Sequence, residues 1–91
     1  MQTYVIEREI PGIGSMSPAE LSVAAQTSNA TLARLAPRVQ WQHSYVADNK
    51  SFCIYLAEDE AAIKEHAQAS GFPADRITPI GKRIDPTTAR L

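Results

Sequence analysis

A single cysteine, Cys53, means that no disulfide can form within the chain, so packing alone has to hold it together. The sequence has no apolar run of about 20 residues that would cross a bilayer, and no charged-then-apolar leader. A cytoplasmic protein without membrane contact is therefore the expectation. Charge of either sign is also scarce as a pattern: 9 Lys and Arg offset 10 Asp and Glu to a net -1, and no basic cluster is present to meet a phosphate backbone. Nucleic acid is accordingly not an expected partner. Missing too are a Ser/His/Asp order, an HExxH or CxxC pattern, a pair of histidines four residues apart and a glycine-rich phosphate loop, for which Gly12-Ile13-Gly14 is too short. A chain of 91 residues makes one domain, residues 1–91. It buries on the order of 60 to 65% of its unfolded surface, a core with little margin that association would help.

What the chain does have is concentrated in residues 39–57, VQWQHSYVADNKSFCIYLA, which hold the only Trp, the only Cys, one of two His and two of three Tyr. Two runs rich in β-branched and aromatic residues, 39–46 and 52–56, flank Asp48, Asn49 and Lys50, and this pattern predicts a β-hairpin. A two-residue turn at Asp48-Asn49 sets Tyr45 opposite Phe52, His43 opposite Ile54 and Trp41 opposite Leu56, a face that is apolar except for His43. Gln40, Gln42, Ser44, Ser51 and Cys53 then share the more polar face. A three-residue turn would reverse the parity and bring His43 and Tyr45 together with Cys53 and Tyr55, because a slip of one residue exchanges the faces. The two-residue register is the expected one.

Residues 2–10 alternate, with Tyr4, Ile6 and Ile10 on one side, Thr3, Val5, Glu7 and Glu9 on the other, and Arg8 near the solvent end of this first strand. Pro11, Gly12 and Gly14 end it. Ser17-Pro18-Ala19-Glu20 is a capping box with Pro at the first helical position, and Met16 and Leu21 form a hydrophobic staple around it. Leu21, Ala24, Ala25, Ser28, Leu32 and Leu35 follow at helical spacing until Pro37. After the hairpin, Glu58, Asp59 and Glu60 suit the start of a second helix with Ile63, His66, Ala67 and Ser70 inward and Gly71 as its left-handed cap. Pro79 confines the last strand, within 76–84, to an edge or a bulge, and Asp85-Pro86-Thr87-Thr88 caps one further turn. The order βαββαβ predicts an α+β, ferredoxin-like sandwich: a four-stranded antiparallel sheet with two helices on one face. Helices that cover the side of Phe52, Ile54 and Leu56 leave Val5, Val46, Cys53 and Tyr55 on the other, too apolar for water, so a homodimer through a sheet face or through the edge strand 39–46 is expected.

Candidate ligands follow from chemistry. His43 and His66 are the only histidines, one on the hairpin and one on a helix stripe that packs on the same sheet. Neutral imidazole with carboxylates and water suits a first-row divalent metal, and the two rings would converge if His43 faces the helices. Against this stands the plain reading of two structural histidines, each hydrogen-bonded. Glu7 and Cys53 form a second, softer candidate site if they share a sheet face across a dimer interface, although a free Cys is commonly a small buried hydrophobe. Trp41, Tyr45 and Tyr55 either fill core and interface or line a pocket beside His43 for a small aromatic molecule.

The strings YVIEREIPG, WQHSYV, the run from Lys50 to Tyr55, IKEHA, GFPADRI and IDPTTA together resemble a group of small bacterial proteins of unknown function, some of them described as nickel-binding, with a dimeric ferredoxin-like fold. The resemblance implies nickel as the metal and covers nearly the whole chain. The leading expectation is a non-enzymatic nickel protein of sequestration or delivery. Its rival is a small-molecule binder or an enzyme of the dimeric α+β barrel type that uses a cavity near His43.

Overall fold

The computed structural model describes residues Met1–Leu91. Strand β1 spans Gln2–Glu9, helix α1 Pro18–Leu35, strand β2 Val39–Val46, strand β3 Lys50–Ala57, helix α2 Glu60–Ser70 and strand β4 Arg76–Ile80; short 3-10 turns occupy Ile13–Ser15 and Pro86–Arg90. The antiparallel sheet has the order β2-β3-β1-β4. This is the ferredoxin-like arrangement expected from the element order, with β2 at one edge and the Pro79-bearing β4 at the other.

Local signals explain the helices. Ser17 Oγ accepts from the Glu20 N–H at 3.1 Å while Glu20 Oε1 accepts from the Ser17 N–H at 2.9 Å, so two otherwise orphaned donors are satisfied where α1 begins. Asp59 caps the start of α2 with a single bond, accepting from the Ala62 N–H at 2.9 Å, and Gly71, at φ 80°, takes the left-handed cap conformation. The turn between β1 and α1 is docked on the hairpin tip: Gly14 N–H donates to the Asp48 carbonyl at 2.9 Å and Gly12 N–H to Asn49 Oδ1 at 2.8 Å. A Cβ on Gly14 would lie 2.6 Å from the Ala47 carbonyl oxygen and 2.7 Å from Asp48 Cα, which is why no larger residue fits there.

The hairpin closes with the expected pairs Tyr45 with Phe52 and His43 with Ile54. A β-bulge between Trp41 and His43 then shifts the register, so that Trp41 faces Tyr55 and not Leu56. One strand therefore sends Trp41 to one side of the sheet and His43 to the other. The helix-covered face carries Ser51, Cys53, Tyr55 and Ala57 of β3, all buried, with Tyr4, Ile6 and Arg8 of β1. Phe52, Ile54, Leu56, Val5 and Glu7 alternate with these on the open face and stay half-buried. The expectation that the Phe52, Ile54 and Leu56 side with His43 packs under the helices is thus corrected: Cys53 and Tyr55, expected on the uncovered side, lie beneath them, and of that expected set Val5 is on the open face. The alternation of Tyr4 and Ile6 against Val5 and Glu7 holds, but Arg8, expected near solvent, is only 3% exposed.

The core is one cluster around Ile6, Val39, Tyr55, Ala57, Ala62 and Ile63. Helix α1 contributes Ser28 and Thr31 as its buried residues, whereas Leu21, Ala24 and Ala25 toward its N-terminus stay half-buried. A cavity of about 290 Å³ lies between that end of the helix and the sheet, with these three residues in its wall.

Candidate functional site

Chemically capable side chains fall into two groups, one on each face of the sheet. On the open face His43 is exposed, its ring 5.2 Å from that of Tyr45 in an edge-on arrangement. Glu7 lies on the same face, opposite Phe52, and its Oε1 is 2.8 Å from Lys50 Nζ. The hydrogen bond from Lys50 holds the Glu7 carboxyl below the usual carboxylate range.

The helix-covered face holds a buried polar chain. Arg8 donates through Nη1 to the Pro73 carbonyl and through Nη2 to the Tyr55 hydroxyl at 3.4 Å. His66, fully buried, has Nε2 3.2 Å from Ser28 Oγ and its ring centroid 5.5 Å from that of Tyr55. Burial, and after it the charge of Arg8, pushes the His66 imidazole down to about 4, so the ring is neutral at pH 7. Its Nδ1 is buried without a partner. Burial also pushes the Tyr55 hydroxyl up. Cys53 is buried, its Sγ 3.6 Å from Ser51 Oγ.

The four residues singled out from the sequence are therefore not brought together. His43 and His66 lie on opposite faces of the sheet and do not converge. Glu7 and Cys53 are likewise separated by the sheet, because Cys53 belongs to the buried phase of β3 and Glu7 to the open phase of β1. Nor does His43 face the cavity between sheet and helices, which removes it from the small-molecule site expected there. Within one chain no three His, Cys, Asp or Glu side chains gather in a group able to hold a metal ion. Arg8 does not stand out in the sequence as an inward residue, although its place two residues after Ile6 and four after Tyr4 puts it in phase with the inward side of β1.

A family model described as nickel responsive protein SCO4226-like matches residues 4–80, nearly all of the sheet and both helices. The chain belongs to the SCO4226-like family. In fold this SCO4226-like chain is similar to the crystal structure of SCO4226 from Streptomyces coelicolor A3(2), with a TM-score of 0.75 and 15% identity over 90% of this chain and 99% of that one. No protein with a curated description matches it in sequence. In one SCO4226-like chain His66 and Cys53 are enclosed by the core, while His43 and Glu7 stand apart from them on the open face.

Proposed function

We propose that the protein binds nickel as a cargo, in sequestration or delivery, and does so as a homodimer in which His43 is the ligand each copy brings. The observation that carries this reading is the exposed imidazole of His43 on a sheet face that the helices leave uncovered. Val5, Phe52, Ile54 and Leu56 give that face an apolar floor suited to a second copy. Face-to-face association would double the donors, bringing two imidazoles, with Glu7 of each copy on the same surface. Imidazole nitrogen with carboxylate oxygen suits nickel and its first-row neighbours. The family's description as nickel responsive supports the choice of metal. His66 and Cys53 take structural roles in this reading.

Calorimetry with nickel alone, on protein free of any purification tag, tests it. Saturable binding at a fixed ratio of ions to dimer is expected, with His43→Ala weakening it about tenfold or more and Glu7→Gln weakening it less. Unchanged affinity in His43→Ala would retire the site. Loss only in Cys53→Ser or His66→Ala would move the ligands to the other face.

A further inference from the structure

We infer that the cavity between α1 and the helix-covered face of the sheet binds a small monocarboxylic acid with an apolar or aromatic body, its carboxylate received by the guanidinium of Arg8. A guanidinium is always charged, and removing it from water is costly unless an anion lies beside it. Arg8 is 3% exposed, yet no carboxylate of the chain stands within ion-pair distance of it. Its two protein acceptors, the Pro73 carbonyl and the Tyr55 hydroxyl, are both neutral and use two of the five N–H donors. The other polar groups of the buried chain, Ser28 and His66, carry no charge at neutral pH either. A single positive charge thus sits in the wall of the cavity without a counterion.

The cavity has the shape and lining to supply one. Its volume of about 290 Å³ is at the small end for ligand pockets. That is room for about ten atoms of the size of a water molecule. The apolar lining is supplied by Ile13, Leu21, Ala24, Ala25, Trp41 and Phe72, which would pack on hydrocarbon or on an aromatic ring. Ser28, Ser44 and Ser51 are the remaining hydroxyls around it and can complete the hydrogen bonds of a carboxylate. A planar fork of donors matches two carboxylate oxygens at once. One cation answers a monoanion, whereas a phosphate dianion would be left half neutralised among apolar walls. A metal cation is repelled by the same Arg8, so this site and the one at His43, across the sheet, stand or fall separately.

Trp41 is the only tryptophan and lies in the cavity wall, so its emission is a built-in probe. The full chain is titrated with hexanoate and benzoate, and in parallel with hexanamide and benzamide, which have nearly the same shape without the charge. Saturable changes in Trp41 emission are expected with the acids, and binding of the amides at least about tenfold weaker, as loss of charge-assisted hydrogen bonds implies. Arg8→Gln should bring acid and amide to equal, weak binding. Because that variant removes a buried group and can fail to fold, Ala25→Leu provides the second test: it fills the cavity without touching Arg8 and should weaken both acids about tenfold or more while leaving nickel binding as it was. Equal affinity for acid and amide, no binding at millimolar acid, indifference to Ala25→Leu, or inorganic phosphate binding as well as benzoate would each overturn the proposal.

Discussion

Enclosed against Tyr55 and Ser28, His66 gives up the proton it would hold in water. An unfolded chain protonates this imidazole near pH 6.5, and the folded chain resists until about 4. Between those values the unfolded state binds more protons, so the stability the neutral ring supports is complete above about pH 6.5 and drains away as pH falls toward 4. Urea melts across this range should show falling stability, and His66→Gln should flatten the dependence; an unchanged slope in that variant would mean the ring is not buried neutral. Glu7, Glu20 and Asp85, whose carboxyls are all held low, add a loss of their own at more acid pH that the variant leaves in place. At this scale the sequence was a partial guide. His66 stood out because it falls on the same stripe as Ile63, and its burial follows from that spacing. Arg8 did not, because a charge at the end of a strand is ordinarily solvated, and only its phase with Tyr4 and Ile6 pointed inward. The sides taken by His43 and Cys53 depended on which sheet face the helices cover, and side-chain hydrophobicity pointed the wrong way: Phe52, Ile54 and Leu56 are larger and more apolar than Ser51 and Cys53, yet it is the side of Ser51 and Cys53, with Tyr55 and Ala57, that the helices cover.

Among the elements, α1 owes its start to the reciprocal bonds of Ser17 and Glu20. Ser17→Ala removes one of them and leaves the Glu20 N–H to water, which should cost about 1 kcal/mol in a thermal or urea melt. No loss would mean that Pro18 and the packing of Met16 suffice to begin the helix. Such caps were legible from the chain because they are built from neighbours in sequence. The hairpin turn was legible for the same reason, and the pairs Tyr45 with Phe52 and His43 with Ile54 follow from it. The bulge before His43 was not, since an extra residue in one strand leaves no mark in composition or alternation. Its effect is to hand Trp41 to the cavity and His43 to the open face, a division of labour that an unbroken strand could not make.

For the molecule as a whole, the element order was enough to give the sheet order and the placing of both helices, because short connections leave few other solutions. What remained hidden was which surface is left over. The half-buried Val5, Phe52, Ile54 and Leu56 now identify it, and Ile54→Lys, at its centre, should convert a dimer into a folded monomer in sedimentation experiments. A wild-type chain that sediments as a monomer at high micromolar concentration would remove the sheet-face association and, with it, the doubled His43. The two outer strands argue for a face and not an edge. Strand β2 carries the bulge and β4 carries Pro79, so neither offers a straight, fully bonding ladder to a newcomer. A sheet interrupted at both margins resists growth by strand addition: if partial unfolding exposes its apolar side, the chain is better protected against ordered fibrils than against amorphous clumping.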